Sequence, residues 1–215
     1  MRGPAIAWAA CITLFPVLLV APLLAWGNPV NTENVTARLL AEHNPAVPGQ
    51  PAELLLSLEI RPGWHTYWRN PGDSGEAPGI DWTLPSGVSA GPLQFPAPEL
   101  IRVGPLANFG YSGRALHPVS LAIPADWPVG EPIAVRARAH WLVCEEHCVP
   151  ESASLELTLR TAATAGPTDP QAAEAFEKAH AGLPQGRLNG ATLAQSPSGL
   201  RLSVPVAGLG PTARS

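Results

Sequence analysis

From Val35 onward, apolar side chains repeatedly take every second position over short stretches, the period of a strand with one buried face. Leu54, Leu56, Leu58 and Ile60 form one such face, Ile80, Trp82 and Leu84 a second, and Val119, Leu121 and Ile123 a third. The longest alternation places Ile133, Val135, Ala137, Ala139, Trp141 and Val143 inward. Leu155, Leu157 and Leu159 answer it between Ser154 and Arg160, so the two segments predict a hairpin. Turn chemistry separates the runs at Asn70-Pro71-Gly72-Asp73, Pro85-Ser86-Gly87, Pro96-Ala97-Pro98 and Pro128-Val129-Gly130. Many short strands joined in this way predict an all-β sandwich.

The pattern changes after Arg160. Thr161 to Pro167 is Ala, Thr, Gly and Pro, a linker composition. A short helix is predicted next, with Asp169 as N-cap, Pro170 at the first helical position, Ala172, Phe176 and Ala179 on one face, and Gly182 at the end. Leu200, Leu202 and Val204 then alternate as one more strand. A helix with one or two strands cannot close a core alone, so residues 166–215 read as linker, helix and the start of a truncated second domain after a first domain at 28–165, the alternative being a tail that packs on the sandwich.

Arg2 is followed by an almost uncharged run from Ile6 to Trp26, and Ala25-Trp26-Gly27 supplies small residues for cleavage before Asn28. Residues 1–27 therefore read as a secretory signal peptide, and the remainder as an exported chain. Lys and Arg total 13 against 17 Asp and Glu, a net charge of −4, so no basic surplus exists to neutralise a phosphate backbone and nucleic acid is excluded as a partner. Cys11 would leave with the signal, so export keeps an even pair, Cys144 and Cys148.

That pair carries the candidate chemistry. Cys144-Glu145-Glu146-His147-Cys148 sits in the loop of the predicted hairpin, where a bridge closing so small a loop would contribute only roughly 2 kcal/mol to stability. A bridge at a loop tip can be reached by another protein's thiolate and opened without dismantling the sandwich, which is what exchange requires. Spacing alone leaves an inert structural bridge equally open. A third reading is metal, with His147 between the thiols and His140 and His65 as further soft or borderline ligands for Cu(I) or Zn. Glu145 and Glu146 read as a solvated loop edge, and the aromatics from Trp64 to Trp68 as strand packing. Nucleophile triads, Walker loops and dinucleotide fingerprints are missing from the sequence, so no cofactor is expected and reducing power must come from elsewhere.

Four segments occur together and in order: Gly63-Trp64-His65-Thr66-Tyr67-Trp68-Arg69-Asn70-Pro71-Gly72-Asp73-Ser74-Gly75, Phe95-Pro96-Ala97-Pro98, Phe109-Gly110-Tyr111-Ser112-Gly113, and Val143-Cys144 through Cys148-Val149-Pro150-Glu151. In these the chain resembles the N-terminal periplasmic domain of DsbD-type transmembrane thiol:disulfide reductases, especially the ScsB-like branch linked to copper tolerance, over Val35 to Arg160. The resemblance implies an immunoglobulin-like sandwich in the periplasm, with a full-length form in the inner membrane. It implies a protein-disulfide reductase module whose redox pair, Cys144 and Cys148, relays electrons from a membrane-embedded reductase domain to periplasmic thioredoxin-fold partners. Cys148 would hold the mixed disulfide, and a cap loop at Asn108 to Gly113 would cover the pair with Phe109 and Tyr111. The sequence departs from the family pattern in its shorter cysteine spacing and in lacking membrane and thioredoxin-like regions. A copper-binding module and an inert Ig-like interaction domain are the competing readings.

Overall fold

The alternating segments become strands in a computed structural model, which describes residues 27–168, 170–184, 190–196 and 199–205. The expected signal peptide, except Gly27, and the expected N-cap Asp169 lie outside these residues. In chain order the strands are β1 (Val30–Asn31), β2 (Val35–Ala41), β3 (Ala52–Ile60), β4 (His65–Gly72), β5 (Gly79–Thr83), β6 (Ser89–Ala90) and β7 (Glu99–Val103). They continue as β8 (Leu106–Ser112), β9 (Arg114–Ala122), β10 (Ile133–Cys144) and β11 (Cys148–Leu159). Helix α1 (Pro170–Gly182) and the hairpin β12 (Thr192–Ser196) and β13 (Gly199–Ser203) follow.

One sheet has the order β1-β2-β3-β9-β6; the other has β11-β10-β4-β8-β7, with β5 also paired to β10. Their inner faces meet as an immunoglobulin-like sandwich. Leu39 of β2, Leu54, Leu56 and Leu58 of β3, Leu121 of β9 and every second residue of β10 from Ile133 to Val143 fill the space between them. The period of two is the cause: each strand offers one apolar face, and only a second sheet can cover it.

Leu54-Leu55-Leu56 breaks the alternation, because β3 is covered on both sides. Leu55, with Leu40 of β2 and Leu116 of β9, points outward and is sealed by Ala172, Ala175, Phe176 and Ala179 of α1. The helix buries its apolar face on the sandwich, because three outward leucines need a lid as much as the helix needs a floor. A backbone bond from Ala97 N to Gly182 O, 2.7 Å, fastens the helix end to the segment before β7. Hairpin β12–β13 leaves Leu193, Leu200 and Leu202 exposed.

His117 of β9 occupies an inward position that the strand pattern would fill with an aliphatic residue. Its Nδ1 lies 3.2 Å from Gln94 O, and the edges of Phe95 and Tyr111 pack on its ring at 4.9 and 5.2 Å between centroids. Complete burial lowers its pKa from 6.5 to about 4, opposed by the Gln94 carbonyl. The unfolded chain thus takes up this proton at higher pH than the folded one. Stability should fall as pH drops from 6.5 and level off below about 4, by about 3 kcal/mol in total. Urea titrations across that window measure it, and His117→Gln should remove this part of the acid sensitivity.

Candidate functional site

Hairpin β10–β11 sets the position of the cysteines. Its ladder runs unbroken from Ile133↔Leu159 to Cys144↔Cys148, so the two cysteines are the last cross-strand pair before the loop at 145–147. Their sulfurs are bonded, S–S 2.07 Å, with the Cα atoms 4.2 Å apart. Alternation turns Val143 into the core and Cys144 onto the outer face of the sheet. There the bridge is asymmetric: Cys144 is 2% exposed, whereas Cys148 is open to solvent.

Strand β4 buries Cys144. It joins β10 through the pair Cys144↔His65, which puts His65 and Tyr67 on the same outer face as the sulfur. The Tyr67 hydroxyl donates to Cys144 Sγ at 3.0 Å and lies 3.5 Å from Cys148 Sγ. Burial raises its pKa, with the Ser74 hydroxyl pulling the other way, so Tyr67 stays protonated and remains a donor at neutral pH. The turn after β4 lies over its ring. Gly75, at φ 98°, is required there, because a Cβ would strike the ring carbons of Tyr67. Asp73 accepts from Ala107 N at 2.8 Å and Asn108 Oδ1 accepts from Ser74 N at 3.0 Å, which ties the turn to β8. His65 is 4% exposed, and its ring meets that of Tyr67 edge to face with centroids 5.2 Å apart. Burial lowers its pKa, so the imidazole beside the bridge is neutral.

The residues expected to form a cap lie in a paired strand. Residues 108–112 are part of β8, paired to β4 and β7, and form no free loop. Tyr111 pairs with Thr66, the phase opposite to Tyr67, so its ring lies in the core. There its hydroxyl donates to Pro96 O at 2.8 Å, and burial raises its pKa, with Arg69 opposing. Tyr67, which sequence reasoning assigned to packing, is the ring that meets the sulfurs. Phe109 sits opposite Leu100 at the sheet edge and is 37% exposed.

The histidines weighed as ligands disperse. His140 is four residues up its strand from Cys144, about 13 Å, and faces Asp81 with Nδ1 and Oδ2 3.9 Å apart. His147 is exposed at the loop tip with Glu145 and Glu146, and only His65 adjoins the cysteines. Among the described residues no three His, Cys, Asp or Glu side chains converge as a metal site.

A family model described as thiol:disulfide interchange protein DsbD, N-terminal, matches residues 36–160, which contain the whole sandwich from β3 to β11 and both cysteines. The chain belongs to this DsbD N-terminal family. No curated relative matches it in sequence. The N-terminal periplasmic domain of ScsB from Proteus mirabilis has the same fold, with a TM-score of 0.63 at 24% identity over 84% of this chain and 69% of that one. The reduced DsbD N-terminal domain of Neisseria meningitidis aligns with a TM-score of 0.30 at 16% identity, over 63% of this chain and 86% of that one. As a DsbD N-terminal domain, this chain carries the cysteine hairpin, Tyr67 and His65 within the matched region, while α1 and β12–β13 follow it.

Proposed function

We propose that this DsbD-type domain is a periplasmic electron carrier, passing two electrons by thiol–disulfide exchange through Cys144 and Cys148 between a membrane-embedded reductase domain and thioredoxin-fold partners. The observation that carries the reading is the asymmetry of the bridge: Cys148 is exposed, whereas Cys144 is buried under a hydroxyl donor. An attacking thiolate can reach Cys148 Sγ from solvent. The S–S bond breaks, the electron pair stays on Cys144 Sγ, and the Tyr67 hydroxyl is already placed to donate to it. A hydrogen bond to a charged sulfur is worth roughly twice one to a neutral acceptor, so the contact stabilises the leaving group more than the disulfide. Cys148 thus takes the mixed disulfide with the partner.

A bridge built for exchange is readily reduced. Titration in glutathione buffers, read by alkylation of the released thiols, should give a potential between about −280 and −180 mV, whereas structural disulfides lie below about −300 mV. A value in the structural range, or a bridge that survives incubation with reduced thioredoxin-fold proteins, would overturn the proposal.

A further inference from the structure

The site contains one group that this exchange step leaves unused. His65 is the Cα partner of Cys144 across the β10–β4 bridge, and directly opposed residues bring their Cβ atoms within about 4.5–5.5 Å. The imidazole is buried, and its Nε2 has no hydrogen-bond partner among the described residues. An imidazole nitrogen buried without a partner disfavours folding and leaves His65 a position at which to take up a proton. The edge contact with Tyr67 fixes the ring in place.

We propose that His65 is the proton acceptor that holds Cys144 as a thiolate once the pair is reduced. The inference rests on the reading that the pair cycles between disulfide and dithiol. A partner dithiol supplies two electrons and two protons as its own sulfurs join. The Cys144–Cys148 bond breaks, Cys148 ends as a thiol with one proton, and the second proton goes to His65, leaving Cys144 as a thiolate beside an imidazolium. In the disulfide form there is no negative sulfur to stabilise the cation, and burial keeps His65 neutral. Reduction creates the missing anion at a neighbouring position, and the Tyr67 hydroxyl donates to the same sulfur.

The surrounding groups are compatible with this pair. On β4, Tyr67 is kept protonated, and Arg69 is engaged over the Trp68 ring at 5.1 Å. On β8 the residue opposite His65 is Ser112, which is uncharged. In the turn over Tyr67, Asp73 is held by Ala107 N and Glu76 is exposed. In the hairpin loop Glu145 lies beside Gly63, while Glu146 and His147 face solvent. The Glu145 carboxylate favours an imidazolium and disfavours a free thiolate, which strengthens the case for a paired proton.

Nuclear magnetic resonance titration of the His65 ring in the full chain, once as the disulfide and once after reduction with dithiothreitol, tests this without any variant. The ring should be neutral at pH 7 in the disulfide form and protonated in the reduced form. Identical titrations in both forms would overturn the proposal. A second measurement follows Cys144 alone by its ultraviolet thiolate absorbance in Cys11→Ser/Cys148→Ser protein. His65→Gln should lower the thiolate fraction at pH 7 by about tenfold or more, and an unchanged fraction would again overturn it. Neither measurement involves a partner protein. A chain that fails to exchange with thioredoxin-fold proteins would refute the function proposed above, while the His65 shift would still be decided on its own.

Discussion

Cys144→Ser protein mixed with an oxidised thioredoxin-fold protein should accumulate a mixed disulfide on Cys148 and stop there. The exposed sulfur can attack, and the buried one that would release the partner is gone. Cys148→Ser should form almost no adduct, because the remaining thiol is 2% exposed beneath Tyr67. Turnover should fall by at least about a thousandfold in both variants, as when one member of a chemical unit is removed. Non-reducing electrophoresis with mass analysis of the adduct distinguishes the two sulfurs. An adduct that builds up on Cys144 instead, or a Cys144→Ser protein that turns over normally, would reverse the assigned roles. Both variants should stay folded, since the hairpin ladder beneath the bridge is complete without it.

The second large effect concerns the helix. Phe176 is 1% exposed between α1 and the outward side chains of Leu40, Leu55 and Leu116. Phe176→Ala should therefore destabilise the whole sandwich by about 3–5 kcal/mol in urea unfolding, with a single transition for helix and sheets. Proteolysis of the variant should begin in the segment between Thr161 and Pro170, which becomes accessible when α1 lifts. An unfolding midpoint equal to that of the parent chain would mean that α1 contributes nothing to the sandwich and belongs to a separate unit.

Much of this architecture is legible in the chain. The inward residues of β10 and β11 can be read directly, because each strand has one wet face and period two is unambiguous there. The place of α1 was harder, although a signal was present: Leu39-Leu40, Leu54-Leu55-Leu56 and Ala115-Leu116 each put apolar residues on both phases of a strand. That pattern means two covered faces, and the only amphipathic helix in the sequence reading was available to cover the second. Asn70-Pro71-Gly72 reads as a turn yet lies in β4, where pairing with β8 is irregular between Tyr67 and Gly72 and accommodates a proline. The cysteines could be found from spacing and resemblance. Their neighbours could not, because Tyr67 and His65 meet the bridge only through the register of β4 on β10, a long-range fact that local sequence does not contain. The phase of Tyr111 is hidden for the same reason: one step along the strand separates the core face from the face of the sulfurs.

The cysteines close a hairpin whose register continues through ten further residue pairs beyond them and Val143↔Val149. Opening the bridge frees only three loop residues, 145–147, and gives the chain almost no new conformational freedom. Oxidised and reduced molecules should therefore have nearly the same outline, and a partner cannot sort them by shape. What differs is local: a proton count, a charge and the polarity of two sulfur atoms. Under the proposed carrier role, discrimination between an electron donor and an electron acceptor would then fall to chemistry at the point of contact, and both could dock on a single rigid surface with the direction set by their relative potentials.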